Sequence, residues 1–216
     1  MDLVMGFGAA LRAGRLVAVI RGKDPEASFR TVMALAEEGV RLIEVSLSGA
    51  DALGVIRRAR QELGPDAWLG AGTVTTAEDV VRAAGAGANL AVTPGLGAGV
   101  DECVRRELPV VAGVLTPTEV IAARAAGATA LKLFPASLGG PAYLKTLRAP
   151  FPELPFVPVG GVDAAAARAY LAAGAVAVGV GSPLIGDAAD GGDLDGLRRR
   201  AADFLTVCAE GAEGLA

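Results

Sequence analysis

A short apolar run followed by an Ala/Leu-rich amphipathic stretch recurs along the chain. The runs are LVAVI (16–20), LIEVSL (42–47), AWLGAG (67–72), NLAVTP (89–94), PVVAGV (109–114), ALKLF (130–134), PFVPVG (155–160) and AVAVGV (175–180). Segments such as PEASFRTVMALAEEG, ADALGVIRRARQEL and PTEVIAARAAG lie between them. Brief apolar runs alternating with helical stretches over short connections predict parallel βα units. Helix punctuation agrees. Asp24-Pro25 sets a cap residue before a proline at the first helical position. Thr75-Thr76-Ala77-Glu78 and Thr116-Pro117-Thr118-Glu119 both fit a capping box. Gly39, Gly85, Gly127 and Gly174 stand where a left-handed residue ends a helix.

Eight such units predict an α/β fold: a single-domain (β/α)8 TIM barrel covering residues 1–216. The rival open, doubly wound sheet lacks the G-x-G-x-x-G that often follows its first strand. The segment GDAADGGDLDG (186–196) reads as a mobile connection before the last helix, with no function assigned.

Strand alternation then selects two residues. In ALKLF, Leu131 and Leu133 share one face while Ala130, Lys132 and Phe134 share the other. With the leucines toward the surrounding helices, Lys132 points into the barrel. A buried lysine must be paired or neutral, and a neutral amine is what imine formation with a ketone requires. A lysine snorkelling from a strand end is the ordinary reading of such a residue by itself. In LIEVSL, Ile43, Val45 and Leu47 face the helices, which turns Leu42, Glu44 and Ser46 inward. An inward lysine and an inward glutamate on different strands make either a structural ion pair or a nucleophile with a general acid/base.

The strand ends favour chemistry. Gly70-Ala71-Gly72-Thr73 and Thr93-Pro94-Gly95 follow the third and fourth runs, where Thr73 offers a hydroxyl to a small carboxylate. Gly160-Gly161 follows the seventh run, and Gly179-Val180-Gly181-Ser182 spans the end of the eighth. Glycines there, leading into helix N-termini, are where barrels commonly hold phosphate.

Composition narrows the chemistry further. The chain has no histidine, so a Ser-His-Asp triad, a Cys-His pair and a histidine-ligated zinc are all excluded. A net charge of −4 argues against nucleic acid, and Arg198-Arg199-Arg200 reads as one solvated turn. No apolar stretch is long enough to cross a bilayer and no export signal opens the sequence, so a cytoplasmic protein is expected. Cys103 and Cys208 are expected to be reduced and half-buried.

The segments RLIEVSLS, GAGTV, VTPGL, GVLTPTE, ALKLFPAS, VPVGGV and VGVGSPL occur in an order and at spacings that resemble the 2-keto-3-deoxy-6-phosphogluconate (KDPG) and 4-hydroxy-2-oxoglutarate (KHG) aldolases. The resemblance runs from about Val17 to Leu184. It implies a homotrimer of barrels that uses no metal or cofactor, forms a covalent imine with its substrate, and takes a phosphorylated keto acid with pyruvate as one product. It puts the imine lysine at Lys132, the proton-shuttling glutamate at Glu44 and the pyruvate-binding threonine at Thr73. Pro94 and Phe134 wall the pocket, and phosphate falls to Gly160, Gly161, Gly181 and Ser182. Arg21, ending the first run, matches an arginine near the substrate carboxylate or phosphate.

Two positions depart from the common gluconate-type pattern. Ser48 replaces the arginine of E-V-T-L-R, and Val159 replaces the threonine of P-T-G-G. In both respects the chain resembles the 2-keto-3-deoxy-6-phosphogalactonate branch more. Three other readings share parts of the pattern: a phosphosugar epimerase or isomerase without an imine, a non-catalytic phosphate- or keto-acid-binding barrel, and a metal-dependent pyruvate aldolase.

Overall fold

Eight parallel strands alternate with helices in the computed structural model, which describes residues 3–213. Helix α1 (Leu3–Gly14) comes first, followed by β1 (Leu16–Ile20), α2 (Pro25–Glu37), β2 (Leu42–Ser46), α3 (Ala52–Leu63), β3 (Trp68–Gly72) and α4 (Ala77–Gly85). Next are β4 (Ala91–Val92), α5 (Ala98–Arg105), β5 (Val110–Val114), α6 (Pro117–Ala126), β6 (Ala130–Leu133) and α7 (Gly140–Arg148). The chain continues through β7 (Phe156–Pro158), α8 (Ala164–Ala172), β8 (Val178–Val180), the short α9 (Ser182–Ile185) and α10 (Leu194–Glu213). Hydrogen bonding runs in the order β7-β6-β5-β4-β3-β2-β1-β8. A parallel bridge between Val159 and Gly179 joins the two ends, closing a (β/α)8 barrel.

Strand alternation divides the apolar residues into two cores. Ile43, Val45, Leu131 and Leu133 pack outward with the helices. Val17, Leu42, Leu90, Val92, Val111, Ala130 and Val157 form a separate inner cluster. Phe7 and Leu11 of α1 belong to that inner cluster, so α1 stoppers the N-terminal end of the barrel. The Phe7 and Trp68 rings meet edge to face at 5.4 Å. No helix was predicted over residues 3–14, although Phe7 and Leu11 are spaced four apart, as on one helical face.

Several local expectations hold and several shift. Asp24 caps α2, accepting from the Glu26 and Ala27 amides at 2.8 and 3.1 Å. Thr116 and Glu119 form the expected box at α6. At α4 the box falls one residue later, on Thr76 and Asp79, because the Asp79 carboxylate reaches back to the Thr75 and Thr76 amides. Gly39, Gly127 and Gly174 take positive φ, but Gly85 stays within α4 and Gly87 makes the left-handed turn instead.

Segment 186–196 is not an open connection. Ala188–Asp190 forms a 3-10 turn with Ala188 and Ala189 buried. The Lys23 amide donates to Asp190 at 2.6 Å, and the Ser28 hydroxyl donates to the Ala189 carbonyl at 3.3 Å. Asp187 and Asp193 accept from amides of the same segment, so these two aspartates are internal turn acceptors. Nor is the arginine triplet simply solvated. Arg198 pairs with Glu37 and Glu38 at 2.6 and 2.9 Å, and Arg200 donates to the Leu184 and Ile185 carbonyls at 2.8 and 3.0 Å. Both cysteines are free and fully rather than half buried. Burial pushes the Cys103 thiol up to about 12 and the Cys208 thiol up to about 11.

Candidate active site

Lys132 lies in β6, in register with Gly113 of β5 and Val157 of β7. Its neighbours Leu131 and Leu133 are locked into the outer core, which turns the lysine into the barrel with 6% of its surface exposed. The Nζ atom lies 5.0 Å from the centre of the Phe134 ring, within reach of a cation–π contact. Phe134 is itself partly exposed and so lines the mouth. A Cβ at Gly160 would sit 3.3 Å from that ring, so this glycine gives the aromatic wall its room.

Glu44 lies in β2 and is only 2% exposed. A side chain at Gly72 of β3 would overlap the Glu44 carboxylate, so the glycine is what makes a barrel-filling glutamate fit here. Burial raises the Glu44 pKa above the ordinary carboxylate value, and the charges of Lys132 and Arg21 pull against that rise. Both cations therefore act on this carboxylate. Among the described residues none of the ion pairs joins Glu44 to Lys132. The structural ion pair that competed for these two residues is thus not formed.

Hydroxyls ring the mouth beside Glu44. Ser46, two residues along β2 on the same face, is completely buried. Its Oγ lies 2.8 Å from Ser48 Oγ and 2.8 Å from Thr73 Oγ1. Thr73 has φ of 57°, a strained conformation for a β-branched residue. Thr93 is buried at the end of β4 and accepts from the Gly113 amide at 3.2 Å. A side chain at Gly113 would overlap Pro94, so this glycine admits the Pro94 backbone alongside the strand that neighbours Lys132.

The loops after β1, β7 and β8 complete the rim. Arg21 follows β1 and is exposed, and its loop is held where the Gly22 carbonyl accepts from the Ala50 amide at 2.9 Å. Gly160 and Gly161 follow β7 with φ of 101° and 74°. Their neighbour is the loop after β6: the Ala136 and Ser137 amides donate to the Val159 and Gly160 carbonyls at 2.9 and 3.2 Å. Gly181 precedes α9, and Ser182 begins it. The bridge between Val159 and Gly179 puts these two glycine turns on adjacent strands. Of the ten predicted site positions, Glu44 and Lys132 therefore lie within β2 and β6, and the other eight follow strands on the C-terminal side of the barrel. A cleft of about 480 Å³ beside Ala10, Arg41, Asp66 and Trp68 lies at the other, stoppered end, away from them.

Comparison with known proteins places this arrangement in a family. Residues 8–199 match the model described as KDPG and KHG aldolase. The chain belongs to that family. It is an aldolase, a carbon–carbon lyase. A probable 2-dehydro-3-deoxy-6-phosphogalactonate aldolase of Rhizobium meliloti is 38% identical, covering 89% of this chain and 90% of that one. The KHG/KDPG aldolase of Escherichia coli K12 is 34% identical, covering 90% and 92%. A solved structure described as native KDPGal superposes with a TM-score of 0.86 at 32% identity, over 92% of this chain and 96% of that one. The KDPG aldolase of Legionella pneumophila, solved with pyruvate captured as a covalent carbinolamine, gives a TM-score of 0.79 at 27% identity over 94% and 96%.

The mouth of the barrel also contains residues that sequence reading left without a role. Gly72 and Gly113 clear space for Glu44 and Pro94, and Ser46 connects two other hydroxyls. A glycine in an apolar run is the signal of close approach, but it does not name the neighbour. Among the described residues no group of three or more Cys, Asp or Glu side chains is arranged to hold a metal ion, and none of the helices is long and apolar enough to cross a membrane.

Proposed function

We propose that residues 1–216 form one class I aldolase domain that cleaves 2-keto-3-deoxy-6-phospho-sugar acids, of gluconate or galactonate type, to pyruvate and glyceraldehyde 3-phosphate. The observation that carries the proposal is Lys132 buried inside the barrel mouth, under the electrostatic influence of the buried Glu44 but free of an ion pair with it. The Lys132 amine attacks the C2 ketone, and Glu44 moves protons while the carbinolamine loses water. Burial lets Glu44 hold its proton at higher pH than an ordinary carboxylate, which suits a group that must both give and take one. The protonated imine withdraws electrons, so loss of the C4 hydroxyl proton breaks the C3–C4 bond. The aldehyde leaves, an enamine remains on Lys132, and a proton returned to C3 precedes hydrolysis to pyruvate.

Thr73 holds the keto-acid carboxylate, Pro94 and Phe134 wall the pocket, and Arg21 contributes positive charge near the substrate's anionic groups. The backbone of Gly160, Gly161, Gly181 and Ser182 receives the phosphate. The chemistry needs neither metal nor organic cofactor. A homotrimer, implied by the resemblance, and a cytoplasmic location belong to the same reading.

Treatment with pyruvate and borohydride, followed by peptide mass mapping, tests it. One pyruvate-derived adduct on Lys132, absent without pyruvate, is the expected result. Folded protein that takes no adduct would remove the imine mechanism and Lys132 as its nucleophile. A substrate panel of the two phosphorylated epimers and 4-hydroxy-2-oxoglutarate then assigns the aldehyde partner.

A further inference from the structure

We infer that Ser46 is a positioning residue, which turns the Thr73 hydroxyl proton outward to the carboxylate of the bound keto acid. The inference rests on the aldolase reading above and extends it to a residue that does not touch substrate. Three hydroxyls run from the surface inward to the mouth: Ser48 is exposed, Ser46 is completely buried and Thr73 is partly buried. Ser46 Oγ is 2.8 Å from each of the other two, and the Ser48 amide donates to it at 3.4 Å.

Proton counting gives this chain a direction. A hydroxyl has one proton and two lone pairs. With the Ser48 amide on one lone pair of Ser46, one neighbouring hydroxyl must donate to Ser46 and the other must accept from it. In one direction Ser48 donates to Ser46, Ser46 donates to Thr73, and the Thr73 proton is left for a group in the mouth. In the other direction Thr73 uses its proton on Ser46 and shows the mouth only lone pairs, which repel an anion. A carboxylate therefore selects the first direction. Ser46 is the hinge of that choice because it alone contacts both neighbours. The strained backbone of Thr73, with φ of 57°, holds its side chain where this contact is made.

Borohydride trapping of Lys132 reads the effect directly. For Ser46→Ala, the pyruvate concentration giving half-maximal trapping should rise about tenfold, the loss expected for one misaligned hydrogen bond to a charged group. Trapping by acetone, a ketone without a carboxylate, should proceed as in the wild type. Ser46→Thr keeps the hydroxyl and should restore pyruvate affinity. In a Thr73→Val background, where the hydroxyl to be aimed is gone, Ser46→Ala should add less than a twofold loss. Ser46→Cys, with similar volume and a weaker donor, carries the same expectation of lost pyruvate affinity if the alanine variant does not fold. A half-saturation within twofold of wild type would overturn the inference, and so would an equal loss with acetone or an undiminished loss on the valine background. Failure of pyruvate to label Lys132 in the wild type is a separate outcome, one that removes the proposed imine mechanism and this inference with it.

Discussion

The two ends of this barrel are built from the same strands yet do opposite things. At the N-terminal end the inward positions include Val17, Leu42 and Ala130, sealed from below by Phe7 and Leu11. Two residues further along, the same faces of β2 and β6 carry Glu44 and Lys132. The closed end is dry and close-packed, so its residues contribute stability by removing apolar surface from water. The open end keeps a carboxylate and an amine away from water without an ion pair, which opposes folding. In each of these two strands a single step of alternation separates the stabilising residue from the one proposed to react.

The sharpest way to break that division is at Lys132. Lys132→Ala should abolish turnover and borohydride trapping together, because no other amine in the barrel takes its place in the covalent path. Thermal melting should show no loss of fold, since the change removes a buried amine rather than core packing. Residual trapping at another lysine would mean that the open end had been assigned to the wrong residue. Glu44→Gln comes next. It should lower kcat by roughly 10²–10⁴-fold, the usual range for a general acid/base, while leaving some trapped adduct after long incubation. A variant with wild-type turnover would reduce Glu44 to space-filling.

The opposite pattern is expected at the closed end. Phe7→Ala removes a ring that packs edge to face on Trp68 within the inner cluster. It should cost about 3–5 kcal/mol in stability, as large core truncations do, measured by urea unfolding. The folded fraction should keep its kcat, since α1 closes the far end from Lys132. A selective loss of kcat in fully folded protein would show that the two ends are coupled.

How far this division could be read from the chain depends on what each part requires. Parallel barrel strands bury both faces, so a lone Lys132 between Leu131 and Leu133, or Glu44 between Ile43 and Val45, stands out and its direction follows from alternation. The barrel itself was legible for the same reason. Helix α1 was not, because Phe7 and Leu11 are its only buried side chains and the segment around them is rich in Gly and Ala. The role of Gly72 needs the pairing of Ser46 with Gly72, and a one-residue slip would aim it elsewhere. The contact of Ser46 with Thr73 depends on that same register. Segment 186–196 was misread because aspartates and glycines look alike in an open loop and in a turn whose amides they satisfy.

The smallest predicted effect tests whether the open end opposes folding at all. Burial raises the folded-state pKa of Glu44 despite the pull of Lys132 and Arg21. The folded protein thus binds this proton more tightly than the unfolded chain. Between the ordinary carboxylate pKa and the raised folded one, the native state carries the extra proton, and stability falls as pH rises through that window. Below the window both states are protonated and the penalty is absent. Above it the penalty is complete. Glu44→Gln removes the ionisation, so it should stabilise the substrate-free enzyme near neutral pH by roughly 0.5–2 kcal/mol, the range of single stabilising substitutions. The gain should shrink as pH is lowered below the ordinary carboxylate value. Urea unfolding of wild type and variant at matched pH measures the difference. A variant less stable than wild type at neutral pH would mean that the attraction of Lys132 and Arg21 outweighs burial, and that the open end stabilises the fold as the closed end does.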